Sequence, residues 1–228
     1  MTMKYKLIAP TPEIIEQYNS FWNATEGKPG NWLVTLFQGQ GVSDIRDNIS
    51  QEELEECGVN DSEILALQNK EDVGAFLKKI NAVYHTRIAA EPIANNLSWA
   101  SLKEMEFDTF VARCKTYARK SAYSFASKVF SFLKSDEYPI IDSITATLLA
   151  RYLEDAGKMP DHAPKSSWGK YKNYKDAYDV FREHYRLEDF TYKQIDIFLW
   201  TYGKALQSYW RKEGVLSFAS VSYLASSK

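Results

Sequence analysis

Apolar side chains recur along this chain at three- and four-residue intervals, the spacing that gathers them on one face of an α-helix. Ile14, Ile15, Tyr18, Phe21 and Trp22 form such a stripe behind Thr11-Pro12-Glu13, with Pro12 at a helix start and Gly27 near the end. The same spacing predicts helices over about 61–69, 72–90, 102–119, 124–134, 143–155, 172–186 and 192–212. Ser50-Gln51-Glu52-Glu53 and Ser101-Leu102-Lys103-Glu104 match the capping-box pattern, in which a hydroxyl and a side chain three residues on satisfy each other's backbone N–H groups. Asn31 is a candidate cap for a short helix carrying Trp32, Leu33, Leu36 and Phe37 and closed by Gly39, with a short strand as the competing reading. Gly157 to Gly169, rich in polar residues and holding Pro160 and Pro164, reads as the main loop. The chain has no internal repeat and no low-complexity tract. With only 10 Gly and 7 Pro in 228 residues, a turn-rich all-β fold is disfavoured, and the expected class is all-α.

Composition narrows the class further. Hydrophobic residues at 45% and charged residues at 25% exclude a disordered or collagen-like chain. Aromatics at 14% point to a core built from rings, or to a site that stacks flat ligands. Two Cys, Cys57 and Cys114, are too few for a disulfide scaffold or an all-Cys metal site, and His85, His162 and His184 show no metal-ligand spacing. No apolar run is long enough to span a bilayer, and Met1 to Pro10 lacks the apolar core of a signal peptide, so the expectation is a cytoplasmic protein with no membrane association.

The net charge of −2 hides an uneven distribution. Acidic residues dominate Met1 to Asn60, with Glu52, Glu53, Glu55 and Glu56 clustered. Between Thr109 and Ser135 the balance reverses: Arg113, Lys115, Arg119, Lys120, Lys128 and Lys134 occur without one Asp or Glu. A second basic stretch, Lys165 to Lys175, interleaves Lys170 and Lys172 with Trp168, Tyr171 and Tyr174. Each stretch alone fits a solvated helix face as well as any function. Two of them, with aromatics between, tilt the reading toward a face that contacts phosphates.

One lysine breaks the apolar pattern. Phe125, Val129, Phe132 and Leu133 fall at i, i+4, i+7 and i+8, and Lys128 takes the i+3 place on that stripe. A lysine there must snorkel outward, pair with a carboxylate or lose its proton, and a neutral amine is what Schiff-base chemistry requires. The snorkelling lysine is the commoner outcome for such a residue standing alone. Further on, Tyr138-Pro139-Ile140-Ile141-Asp142-Ser143 forms an extended lead-in to the next helix, with Asp142, fourteen residues after Lys128, at the N-cap. A capping carboxylate stays ionised and held in one orientation, so capping and chemistry are compatible there.

A Lys-Val pair on a helix, followed by Pro-(Val/Ile)-x-Asp at the next helix start, resembles the helix-hairpin-helix DNA glycosylases, and among them the 8-oxoguanine DNA glycosylase type in its compact bacterial form. Lys128-Val129 matches the lysine helix, and Pro139-Ile140-Ile141-Asp142 matches the aspartate segment. Asp196 to Gly203 is similar to a late helix of compact members, and the likeness covers about 107–154 and 192–206. The resemblance implies a helix-hairpin-helix glycosylase-like helical bundle. It would be a single domain over 1–228, or two helical lobes: about 1–100 with the C-terminal helices, and about 101–170 as the catalytic hairpin lobe. It also implies that Lys128 attacks the anomeric sugar carbon and that Asp142 assists base loss.

The chain departs from the family in two ways. The family's hairpin reads Leu-Pro-Gly-Val-Gly before the lysine, with glycine amides on a DNA phosphate, whereas Arg119 to Ser127 here has no glycine. The Lys-to-Asp spacing is also a few residues shorter. Side chains are therefore expected to take over the phosphate contact: Arg113, Arg119, Lys120, Ser121 and Ser124. A flipped base needs flat walls and a polar reader. The candidate walls are Trp99, Trp168, Trp200, Phe198 and Tyr202, with His162 and Lys165 as polar candidates.

The activity so implied is excision of a damaged or modified base from double-stranded DNA, with abasic-site lyase chemistry through a lysine imine. The protein would act as a monomer without metal or organic cofactor, in repair or in defence against phage DNA. Two alternatives stay open: a non-catalytic helical DNA-binding or interaction module, and a monofunctional glycosylase in which Asp142 activates water.

Overall fold

A computed structural model of the protein describes residues 7–24, 61–84, 86, 88–117 and 122–212. Among them are ten α-helices, one 3-10 turn and no strand, so the described part of the chain is all-α. The segments around Asn31 and Ser50 lie outside the described residues. The described chain divides into two units, one formed by 1–58 with 142–228 and the other by 59–141.

In chain order α1 is Pro12–Ala24, and the 59–141 unit begins with α2 (Asp61–Asn69). It continues with α3 (Val73–Val83), α4 (Ala90–Ala94), α5 (Trp99–Glu104), α6 (Phe107–Lys115) and α7 (Ala122–Leu133). The periodicity over 72–90 is broken in two. Asn81 Oδ1 accepts from the Ile88 N–H (3.0 Å) and the Thr86 hydroxyl (2.7 Å), which folds the chain after Val83 into a turn. The run over 102–119 is also two helices, because Met105 and Glu106 are extended, with ψ of 136° and 142°. That kink lets Leu102 and Phe107 both face inward. The capping box there is Ser98 with Ser101, so Ser101 is the third helical residue and not the cap. Rings fill the core: Phe107 and Phe110 pack on Phe130 at 5.3 and 5.6 Å, and Phe76 packs on Trp99 at 5.1 Å.

The other unit contains α1, α8 (Ser143–Asp155), a 3-10 turn at Lys165–Ser167, α9 (Tyr171–Tyr185) and α10 (Tyr192–Lys212). Here the predicted helices match closely, and Gly157 to Gly169 is a loop apart from the 3-10 turn. Tyr18 meets Phe198 edge-on at 5.0 Å, and Trp22 meets Trp200 edge-on at 6.3 Å, which docks α1 on α10. The backbone of Ile8 is clamped by two hydroxyls: its N–H donates to Tyr202 (3.1 Å) and its carbonyl accepts from Tyr152 (2.6 Å). Helices α8 and α10 touch at Gly203, where an added Cβ would lie 2.4 Å from Ile144 Cγ2.

Candidate active site

Helix α7 is enclosed more fully than its apolar stripe predicts. Phe125, Ala126, Ser127, Lys128, Val129, Phe130 and Ser131 are all buried, whereas Phe132 and Leu133 are only half-buried. Phe130, off the expected stripe, is wholly buried, because α6 and the Tyr138 ring cover that side. Lys128 therefore sits on a helix with little solvent around it, at 4% exposure. Its side chain runs back toward the helix N-terminus, the direction in which Cβ vectors point. Its Nζ donates to Ser124 Oγ (2.9 Å) and stands 5.3 Å from the centre of the Tyr84 ring. Ser124, expected on DNA, thus holds the lysine one turn away.

Ser127, the neighbour of Lys128, is a buried hydroxyl with two jobs. It donates to the Ser124 carbonyl (3.0 Å) and accepts the Ile141 N–H (3.1 Å). The helix that carries the lysine thereby pins the residue that immediately precedes Asp142 in the chain. The same connection is anchored by Tyr138, whose ring stacks on Phe107 at 5.3 Å. No sequence pattern links Ser127 to Ile141, since the pairing spans a loop.

Asp142 is the N-cap of α8, as its position predicts. Its Oδ1 accepts from the N–H groups of Ile144 (2.8 Å) and Thr145 (2.9 Å), and the Thr145 hydroxyl accepts the Asp142 N–H in return (3.3 Å). Among the described residues no hydrogen bond reaches Oδ2. One carboxylate oxygen is thus consumed by the helix end. Behind the cap, the wholly buried Tyr174 shares a hydrogen bond with the Thr145 hydroxyl. Burial pushes the Tyr174 hydroxyl well above its ordinary value, the charges of Asp196 and Asp142 add to this, and the bond to Thr145 opposes it. Thr145 and Tyr174 are the site residues that sequence reasoning missed. Threonine at the third helical position after an Asp cap was the available signal for the first; nothing marked the second.

The remaining candidates are dispersed. Arg113 hydrogen-bonds the carbonyls of Ile93 (2.6 Å) and Asn95, which closes the C-terminus of α4. Arg119, Lys120 and Ser121 lie outside the described residues. Trp99 is buried beside Phe76 and forms part of the wall of a cavity of about 890 Å³, together with Lys70, Asp72, Gly74 and Lys103. Trp168 is buried, and its indole N–H donates to the Ala163 carbonyl (3.0 Å). Trp200 packs on Trp22, and Phe198 and Tyr202 are core residues stacked at 5.6 Å. His162 is exposed and 3.6 Å from Asp176, and Lys165 is exposed at the start of the 3-10 turn. Of the second basic stretch, Lys172 pairs with Asp176 (2.6 Å) and Lys175 with Asp179 (3.5 Å), so much of its charge is offset on its own helix.

Among the described residues no three His, Cys, Asp or Glu side chains are grouped to hold a metal. No described helix is long and apolar enough to cross a membrane. Comparison of the chain with protein-family models, with curated proteins and with solved structures returns no match.

Proposed function

We propose that the protein is a DNA glycosylase with abasic-site lyase activity, acting on a modified or damaged base in double-stranded DNA. The observation that carries the reading is Lys128: an amine at 4% exposure, tethered to a neutral hydroxyl one turn back on a rigid helix. A lysine kept for solubility would reach solvent instead. The uncommitted Oδ2 of Asp142 supports the same reading.

In this mechanism the base is first turned out of the duplex, as any enzyme acting on a stacked base requires. The Lys128 lone pair attacks C1′, and the glycosidic bond breaks with its electrons going to the base, which takes up a proton. The Asp142 carboxylate offsets the positive charge that builds on the sugar as the base departs. The sugar ring then opens to an imine between C1′ and Nζ. Loss of a C2′ proton expels the 3′ phosphate, and water hydrolyses the imine to regenerate the amine. The basic stretch of sequence ahead of Lys128 supplies side chains for the phosphates, with Arg119 and Lys120 as the leading candidates.

The test is a panel of end-labelled duplexes, each with one modified base, incubated with and without borohydride. The expected result is base loss from at least one duplex and a covalent protein–DNA adduct formed only with borohydride. Base loss without an adduct would point to water activated by Asp142. Binding with neither outcome would leave a non-catalytic DNA-binding module and overturn the enzyme reading.

A further inference from the structure

Lys128 is enclosed, and the side chains beside its amine decide what can reach it. Nζ stands 5.3 Å from the centre of the Tyr84 ring and donates to Ser124 Oγ at 2.9 Å. Tyr84 ends α3: its N–H donates to the Ile80 carbonyl (3.0 Å), and the Asn81 side chain holds the turn that follows. The ring is also met by Phe132, one turn beyond Lys128 on α7, at 6.3 Å. One helix therefore sets both the amine and the ring next to it. Tyr84 differs from the core rings in being only half-buried, whereas Lys128 is 4% exposed. Ser124 is half-buried too, so these two side chains mark a way in from solvent to Nζ.

A bond formed at Nζ fixes where its partner lies. The stem of Lys128 is packed, which leaves the amine little travel. A C–N single bond is about 1.5 Å long, so the attacked carbon comes to rest within about 7 Å of the Tyr84 ring centre. Rings pack against one another at centre-to-centre distances of about 4.5–7 Å. We propose that Tyr84 is a substrate-contact residue, the wall against which the deoxyribose of the extruded nucleotide lies while C1′ bonds to Nζ. That the substrate is a deoxynucleotide rests on the glycosylase reading. The ring offers flat apolar surface to the C–H groups of the sugar and holds C1′ within reach of the amine.

In the free protein the same ring covers the amine, which gives the test two opposed readouts. Wild type is compared with Tyr84→Ala, Tyr84→Leu and Tyr84→Phe as full chains, each checked for a cooperative melt. The first probe is formaldehyde with cyanoborohydride, and methylation at Lys128 is followed by peptide mass spectrometry. The second is a duplex with a pre-formed abasic site, and borohydride trapping is followed under single-turnover conditions. Tyr84→Ala uncovers the amine and should speed its methylation about threefold or more. The same variant should trap the abasic duplex roughly ten- to a hundredfold more slowly, because the sugar has lost its wall. Tyr84→Leu should follow Tyr84→Ala in trapping, and Tyr84→Phe, which keeps the ring, should recover most of both rates. General loosening of the site would move the two reactions together. Wild-type trapping matched within twofold by Tyr84→Ala and Tyr84→Leu would overturn the assignment of Tyr84 alone. So would slower trapping in all three variants with no gain in methylation. A wild-type protein that traps no abasic duplex would overturn the glycosylase reading and the assignment with it.

Discussion

At Lys128, a glutamine side chain retains a donor for Ser124 Oγ but has no nucleophilic amine. Lys128→Gln should therefore abolish borohydride trapping and strand scission while costing only about 1 kcal/mol of stability, read by urea denaturation. Lyase activity at the wild-type rate in this variant would exclude Lys128 as the nucleophile. At Asp142 the cap and the chemistry separate in a complementary way. Asparagine caps nearly as well as aspartate, so Asp142→Asn should melt close to wild type, whereas Asp142→Ala should lose about 1 kcal/mol. Both should slow base excision by about 10²–10⁴, because neither can offset charge on the sugar or take a proton. Lyase activity on a pre-formed abasic site needs only the amine and should fall much less. An Asp142→Asn variant that excises at the wild-type rate would reduce Asp142 to a cap.

Among the elements, α8 and α10 are joined where one has no side chain. An added Cβ at Gly203 would come within 2.4 Å of Ile144 Cγ2, so the two helices must separate or Ile144 must change rotamer. Gly203→Ala should destabilise by about 1–3 kcal/mol, and Ile144→Ala in the same chain should recover part of that loss. Additive losses in the double variant, measured by denaturant titration, would show that the two residues do not share the space. Element-level features were the most legible part of the chain. Helices α8, α9 and α10 and the Asp142 cap could be read because their apolar stripes and boundary residues agree. The breaks at Tyr84 and Met105 could not, because the apolar period runs on past both. One is imposed by the Asn81 side chain and the other by two extended residues that re-aim Phe107. The lysine and the aspartate were legible as chemistry out of place in a pattern. Thr145 and Tyr174 were not, since their meeting depends on how two helices pack.

Over the whole molecule, both units carry groups that resist ionisation. Burial pushes the Cys114 thiol up to about 12 from an ordinary 9.0, with the Arg113 charge opposing. Burial likewise pushes the Tyr174 and Tyr178 hydroxyls well above 10.0, and the charge of Asp196 adds to both. Each folded-state pKa is raised, so the associated stability is fully present below the unfolded pKa and is lost as pH climbs toward the folded one. Unfolding free energy should thus hold steady to about pH 8.5. Above that it should fall by about 1.4 kcal/mol per pH unit for each proton that only the unfolded chain releases. A urea midpoint unchanged between pH 8 and pH 11 would contradict this. In a Cys57→Ser background, the Cys114 thiol should react with a disulfide reagent at pH 8 only after denaturant is added.

The docking of α1 on α10 also dictates an order of events during synthesis. Tyr18 and Trp22 are translated well before their partners Phe198 and Trp200. The roughly 170 residues between Ala24 and Tyr192 take on the order of ten to thirty seconds to translate at about 5–20 residues per second. For that interval Tyr18 and Trp22 wait for the rings they meet on α10, and the whole 59–141 stretch is completed within it. The contact between α1 and α10 should therefore form after the helices of the 59–141 stretch have had time to pack.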